Sequence, residues 1–262
     1  ISGAEHRVAW TAGFHVLPEH RSGPIGVMLA KEMARVAPNS MCTTVLDAPL
    51  RIFTAMGWQH IGTVPNLVYF TRPGEVLRRL PEDAAGASRA RRTLLRLLQR
   101  SGLARVSGAL LGLGLQARAA VATAAGVDTP LVTDLSRWAA SAEADALWQR
   151  CAAGIEAGLV RNGARVRWRF RDPRYVLLEA RRRGTLVGWI VLRRPDDGGS
   201  ERLGGIRVAP IADLMFDPAE PEIAESLLSA AFRIGRQGFA DALVLSTPHT
   251  PTNALARRLG FQ

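Results

Sequence analysis

Lysine and cysteine are almost absent from this sequence. Lys31 is the single lysine, so the formal net charge of +11 comes almost entirely from arginine. The two cysteines, Cys42 and Cys151, lie far apart, with no CxxC or Cys/His spacing. This spacing argues against a zinc site and against a disulfide framework. It favours reduced, buried thiols in a cytoplasmic protein, and no metal site is predicted.

Aromatic residues make up only 6% of the chain. We find no compact basic block interleaved with aromatic residues, the pattern that binds single-stranded nucleic acid. Helix-turn-helix and zinc-finger spacings are also missing, so no DNA partner is expected. A net positive charge also suits an anionic membrane surface or an acidic cofactor. We interpret the arginine excess as a compositional bias.

An uninterrupted apolar run of about 20 residues, as a transmembrane helix requires, is missing too. The nearest run, 106–127, is broken by Gln116 and Arg118. Before it, arginines accompany leucines over 89–105 in an amphipathic helical pattern. We interpret 74–130 as connecting helices, and the alternative is peripheral contact of 89–105 with an anionic membrane.

The most informative segment is 8–37. An apolar-alternating run leads to a basic, glycine-containing turn, and apolar residues at helical spacing follow directly. A strand–loop–helix of this kind points backbone N–H groups and the positive helix end at a phosphate. Pro24 has no N–H but suits a first helical turn. The predicted donors are backbone amides and one guanidinium, from Arg21, Ser22, Gly23, Ile25 and Gly26.

The same order of elements is predicted twice. The first copy comprises strand 8–17, helix 25–37, strand 41–46, helix 49–56 stopped by Gly57, and a hairpin of 61–64 with 66–71. The second comprises strand 211–216, helix 223–236, strand 242–246 and helix 253–259. A short strand over 166–170 and a hairpin of 175–181 with 186–193 precede it. The predicted domains are therefore 1–73, a helical linker 74–130, and 131–262.

These features resemble the GNAT (GCN5-related N-acetyltransferase) superfamily. Its signature at the strand–helix junction is Arg/Gln-x-x-Gly-x-Gly/Ala, and residues 21–26 read Arg-Ser-Gly-Pro-Ile-Gly, with the middle glycine one position early. The resemblance implies an α/β (α+β) fold of tandem acyl-CoA N-acyltransferase-like mixed sheets flanked by helices. It makes 1–73 the C-terminal part of one GNAT-like domain and 131–262 a second, degenerate one. It also leads us to expect a chain truncated at both ends.

The resemblance further implies an acyl-CoA-dependent N-acyltransferase. Acetyl-CoA or another acyl-CoA would donate to a small-molecule or sugar-linked amine. Through 168–170 and Gly188-Trp189, the second copy also resembles the C-terminal domain of two-domain acyltransferase-like bacterial proteins, which implies an association with cell-envelope or polysaccharide biosynthesis. The pantetheine arm of the acyl-CoA would lie along Phe14 and Val16, and His15 and Glu19 are the candidate catalytic residues. Phe53 stands where the family usually has a tyrosine acid. The alternatives are a non-catalytic scaffold or binding protein and a peptidoglycan-type aminoacyl transferase that uses charged tRNA.

The second copy has no glycine in its strand–helix junction. Residues 217–222 carry three carboxylates there, which would repel a diphosphate. Asp213 is a candidate to hold an acceptor amine, although a structural role is also open. Trp168 and Arg169 are interpreted as a stacked pair or as a packing anchor.

Overall fold

The structure is a computed structural model that describes residues 6–11, 15–42, 47–81, 126–129, 131–132, 135, 138, 141–152, 154–155 and 158–262. Its contacts divide the chain into two compact units, Ile1–Thr63 and Val64–Gln262. The predicted amphipathic segment 89–105 lies outside the described residues.

The first unit follows the predicted strand–helix–strand–helix order. Its elements are β1 (Ala9–Thr11), α1 (Ile25–Val36), β2 (Ser40–Cys42) and α2 (Asp47–Ala55). β1 and β2 pair in parallel, from Ala9 opposite Ser40 to Thr11 opposite Cys42. The described part of the predicted strand 8–17 is a strand only over Ala9–Thr11, and a 3₁₀ turn follows at Pro18–His20.

α2 ends as its glycine predicts. Gly57 adopts φ +86°, and the amide of Trp58 donates to the carbonyl oxygen of Phe53 at 3.0 Å. The ring of Phe53, 3% exposed, stacks on the indole of Trp58 at 4.8 Å between ring centres. The chain reversal and this ring stack together fix the end of the helix.

The second unit contains one mixed sheet with helices on both faces. Its elements are β3 (Asn66–Phe70), α3 (Pro73–Arg79), β4 (Val127–Asp128), β5 (Leu131–Val132), α4 (Ser141–Ala152), α5 (Gly163–Arg169), β6 (Tyr175–Arg182), β7 (Thr185–Arg193), β8 (Val208–Phe216), α6 (Pro221–Ile234), β9 (Ala242–Ser246) and α7 (Thr250–Arg258). The strand order is β3–β9–β8–β7–β6–β4, and β5 also pairs with β6. β8 and β9 are parallel and the other pairs antiparallel. The predicted fold class, mixed sheets flanked by helices, is confirmed.

Two apolar clusters cover the two faces of this sheet. One packs α6 and α7 onto the sheet through side chains such as Leu227, Phe232 and Leu255. The other packs α4 and α5 onto the opposite face through Leu147 and Val166. Because both faces are covered, β6 and β7 each bury five consecutive residues rather than every second one.

The predicted hairpin of 175–181 with 186–193 is confirmed as β6 and β7. Arg183 and Gly184 form its two-residue turn with φ values of +51° and +82°. Positive φ at both central positions is the geometry that matches the twist of paired strands, and glycine adopts it without strain.

The predicted hairpin of 61–64 with 66–71 is wrong. β3 instead pairs antiparallel with β9, from Asn66 opposite Ser246 to Phe70 opposite Ala242. Its alternate residues Leu67 and Tyr69 are buried, and the Tyr69 ring stacks on Phe232 at 3.8 Å. The apolar face of β3 thus completes the core of the second unit, and the contacts divide the chain after Thr63 rather than after residue 73.

The predicted strand over 166–170 is also wrong, because this segment forms α5. The Oδ1 atom of Asn162 caps the helix by accepting from the amide of Arg165 at 2.9 Å. Val166 and Phe170, four residues apart, are both buried at 2% exposure. That spacing places both side chains on one face of a helix.

Candidate functional site

The segment between β1 and α1 forms a compact loop after the carboxyl end of β1. A 3₁₀ turn at Pro18–His20 opens it. The amide of Arg21 donates to the carbonyl oxygen of Pro18 at 3.3 Å, and that of Gly23 donates to His20 at 3.2 Å. The amide of Gly23, one of the predicted phosphate donors, is therefore used within the loop.

Three other predicted donors remain available. No described residue accepts a backbone hydrogen bond from the amide of Ser22, Ile25 or Gly26. Ser22 and Ile25 are exposed, Gly26 is half-buried, and the first turn of the 12-residue α1 contains no acidic residue. The amide hydrogens and the positive end of the helix dipole therefore present an uncompensated positive potential, which suits an anion.

The side chain of Arg21 binds back to the start of this loop. Its Nε donates to the carbonyl oxygen of Val16 at 2.9 Å, while the side chain stays exposed. This bond fixes the guanidinium beside the loop and occupies the Val16 carbonyl, one of the backbone groups predicted to meet a pantetheine arm. Phe14, the other predicted contact, lies outside the described residues.

Gly26 lies where α1 approaches the loop and α2. A Cβ atom at this position would lie 3.6 Å from Cγ2 of Val16 and 3.8 Å from Cδ1 of Ile52, which are ordinary contact distances. The first turn of α1 is therefore held by apolar neighbours, and a methyl group would fit there.

The two predicted catalytic residues lie in the same loop. His15 and Glu19 are both exposed, and neither forms a hydrogen bond or ion pair with a described residue. Their side chains are therefore free to meet a solvent-borne acceptor. Phe53 provides no acid, because it has no hydroxyl and its ring is buried against Trp58.

In the second unit, the carboxylates between β8 and the first turn of α6 are paired with groups of the chain itself. The Nη1 and Nη2 atoms of Arg182 pair with Glu220 at 2.7 Å and with Glu222 at 3.2 Å. Oδ1 of Asp217 accepts from the amide of Ala219 at 2.9 Å. An anion would meet carboxylates here rather than open amides.

Asp213 is likewise committed to its neighbours. Its buried carboxylate accepts from Nε of Arg161 at 2.8 Å and from Nε1 of Trp189 at 3.0 Å. It follows Ala212, the extra residue of a β-bulge, since Val191 pairs with Asp213 and the next residue, Leu192, pairs with Ile211. Both oxygens of the predicted amine-holding group thus bind side chains of this chain.

The interpretation of Trp168 and Arg169 is wrong on both counts. The indole of Trp168 is 64% exposed, so it is not a packing anchor. The guanidinium of Arg169 lies over the ring of Phe170, 5.1 Å from its centre. The stretch 165–171, Arg-Val-Arg-Trp-Arg-Phe-Arg, is also a basic block interleaved with aromatic residues, a signal that the sequence reasoning missed.

The thiols and the titratable clusters add no further site in the described part of the chain. Cys42 and Cys151 are free, and burial raises the pKa of the Cys151 thiol to about 11. No three His, Cys, Asp or Glu side chains converge there as a metal site would need. Among the described helices, none has the length and apolar character to cross a membrane.

Comparison with known proteins gives structural likenesses only. No protein-family model matches the chain, and no curated protein matches it. A GCN5-related N-acetyltransferase from Kribbella flavida aligns at 15% identity over 95% of this chain and 47% of its own, with a TM-score of 0.49. A ribosomal-protein-alanine N-acetyltransferase from Brucella melitensis biovar Abortus 2308 aligns at 19% identity over 51% of this chain and 90% of its own, with a TM-score of 0.38.

A third likeness is AAC(6')-Iy, solved with the bisubstrate analogue CoA-S-monomethyl-acetylneamine. It aligns at 12% identity over 52% of this chain and 90% of its own, with a TM-score of 0.39. The Kribbella protein is named for the superfamily that the sequence resembles. At identities of 12 to 19% and TM-scores below 0.5, these likenesses assign no function, which must be inferred from the residues of this chain.

Proposed function

We propose that the chain is a GNAT-type acyltransferase. More specifically, we propose an acyl-CoA-dependent N-acetyltransferase whose first unit binds the diphosphate of acetyl-CoA at the start of α1. The observation that carries this proposal is the set of open amides at Ser22, Ile25 and Gly26, beside the fixed guanidinium of Arg21.

The donor set fits a diphosphate. Backbone amides at a helix start, an adjacent guanidinium and the absence of a nearby carboxylate in the first turn of α1 are what phosphate oxygens need. Pro24 has no N–H, and the amide of Gly23 donates to the carbonyl oxygen of His20. The donors left for the phosphate oxygens are therefore three backbone amides and the guanidinium of Arg21. Acetyl-CoA would supply an activated thioester carbonyl and a thiolate leaving group.

The residues of this chain would then position an amine and take its proton. An amine attacks a carbonyl only as the free base, so a proton acceptor near the loop is required. The imidazole of His15 is the first candidate for this proton acceptor, and the carboxylate of Glu19 is the second. Because Phe53 cannot donate a proton, sulfur would leave as the thiolate and pick up its proton from water.

A non-catalytic acyl-CoA-binding protein is the second candidate. It is favoured by the buried Phe53 ring at the place where the resemblance implies a tyrosine acid. The two candidates share the diphosphate site and differ only in turnover. The predicted amine acceptor, small or sugar-linked, belongs to the first candidate alone.

Calorimetric titration with acetyl-CoA tests the shared site. The protein should bind with micromolar affinity, and Gly26→Glu should weaken binding at least tenfold, because its carboxylate would compete for the open amides. Val36→Glu is the matched control. It adds the same charge to an exposed position about 15 Å further along the same helix and should bind as the parent does.

Arg21→Gln supports the test if Gly26→Glu fails to fold, since the Arg21 side chain is exposed. It should weaken binding several-fold with an unchanged melting temperature. Thiol release with a panel of primary amines then separates the candidates, because the binding protein releases none. An absence of acetyl-CoA binding, or a salt-sensitive complex with charged tRNA instead, would reject the proposed site in favour of a scaffold or an aminoacyl transferase.

A further inference from the structure

The outward side of α5 presents a strongly basic surface from one short segment of the second unit. Residues 159–171 include five arginines and no acidic residue. Arg161 is held by Asp213, but the others are exposed, together with Trp168. We define the arginine–tryptophan face as the exposed set Arg165, Arg167, Trp168, Arg169 and Arg171.

Within the part of the chain that the structure describes, these arginines have no acidic partners. The side chains of Arg165, Arg167 and Arg171 form no hydrogen bond or ion pair with any residue in the described ranges. The nearest acid in sequence, Asp172, is bound by Arg174 at 2.7 Å. Four exposed arginines within seven residues thus lack an acidic partner among the described residues, which creates a local positive field.

The tryptophan adds an apolar group to this field. Trp168 is 64% exposed, whereas Trp138 and Trp189 are fully packed in the core of the same unit. Leu159, just before α5, is 44% exposed. An indole has an apolar body and a polar N–H, so it suits an environment that is apolar at one end and wet at the other.

The helix behind this face is firmly held. Val166 and Phe170 point into the core at 2% exposure each. The amide of Gly163 donates to Oδ1 of Asp145 on α4 at 2.8 Å, and Asn162 caps the helix. A surface that is ordered before binding loses little conformational entropy when it docks.

We propose that the arginine–tryptophan face docks the protein onto a membrane surface rich in anionic phospholipid headgroups. The guanidinium groups pair with lipid phosphates, and the Trp168 ring enters the boundary between headgroups and acyl chains. Single-stranded nucleic acid fits the face less well. Such ligands are bound by several stacking rings along a groove, whereas this short helix exposes one large ring, that of Trp168.

Vesicle co-sedimentation of the full chain tests the proposal. Vesicles of phosphatidylcholine with about one third phosphatidylglycerol should bind at least tenfold more tightly than vesicles of phosphatidylcholine alone, and binding should weaken as salt shortens the Debye length. The double variant Arg167→Glu/Arg171→Glu should lose at least tenfold in affinity. Trp168→Ala should lose several-fold and should also abolish part of the quenching by brominated lipid.

The matched control is Arg51→Glu/Arg257→Glu, which makes the same change in net charge at two exposed arginines outside this face. It should bind anionic vesicles within twofold of the parent. Equal losses in both double variants, equal binding to neutral vesicles, or no vesicle binding would overturn the proposal. Tighter binding to single-stranded RNA than to anionic vesicles would overturn it too and would assign the face to nucleic acid.

Discussion

Asp241 joins α3 to the sheet of the second unit, and its removal should destabilise that unit strongly. Its side chain is fully buried, and its Oδ2 accepts from the amide of Arg207 at 3.0 Å. Oδ1 lies 3.3 Å from Nη2 of Arg207 and 3.4 Å from Nη1 of Arg72. Arg79 adds a longer contact at 3.7 Å. One buried carboxylate thus contacts three arginines.

Asp241→Asn keeps the shape and one acceptor oxygen but removes the charge. Breaking a buried ion pair on one side costs about 3–5 kcal/mol, because the partner is left uncompensated. Arg72, Arg79 and Arg207 are 29 to 37% exposed, so water recovers part of this loss. We therefore expect a loss of about 2–4 kcal/mol in the free energy of unfolding.

Urea unfolding measures this loss, and Asp172→Asn is the control. Asp172 also pairs with an arginine, at 2.7 Å, but both side chains are substantially exposed. Exposed pairs contribute about 0–1 kcal/mol, so the control should lie close to the parent. If Asp241→Asn and Asp172→Asn lose the same small amount, the buried carboxylate does not hold α3, and the reasoning fails.

Two further predictions concern packing and pH. Gly188→Ala should lower the free energy of unfolding in urea by about 1–3 kcal/mol, because the new Cβ would lie 2.8 Å from the carbonyl oxygen of Met215 and from Cγ2 of Ile223. The control Gly198→Ala has open space around its Cβ and should lose much less. Equal losses in the two variants would contradict the clash. Burial lowers the pKa of His249, so the unfolded state takes up its proton first and stability should fall as pH drops below about 6.5. His249→Gln should flatten that fall in urea midpoints, and an unchanged slope would refute the assignment.

Local signals allowed elements of both units to be predicted. The hairpin of β6 and β7 was predictable because Arg183-Gly184 separates two apolar runs, and the required turn involves only neighbouring residues. The helix ending at Gly57 was predictable for the same reason. In both cases the residues that decide the structure lie within a few positions of it.

β3 was not predictable in this way. Its sequence reads as a strand, but its partner β9 lies far along the chain, and Thr71 bonds to a carbonyl oxygen 169 residues away. Strand propensity carries no information about which distant strand will pair. The stacking of Tyr69 on Phe232 identifies the partner, and it exists only in the folded core.

The candidate site was predicted in part. The loop over 21–26 follows from local residue types, so its position was predictable. The 3₁₀ turn that occupies the amide of Gly23 depends on the path of the loop, which residue types do not fix. Similarly, the arginines of 165–171 are evident in the sequence, but only packing decides that Phe170 is buried and Trp168 exposed.

The two units place opposite charges at the same point of a shared order of elements. Each has a strand, a helix and a second strand parallel to the first, so each directs a helix start toward the carboxyl end of a strand. α1 begins with open amides and no acidic residue, whereas α6 begins with Glu220 and Glu222, which pair with Arg182. An anion approaching α6 must displace carboxylates from a guanidinium, while one approaching the first turn of α1 meets open amides and no acidic residue of that turn. The two helix starts thus share a backbone arrangement and differ in side-chain charge, which is why we propose an anion site at α1 and none at α6.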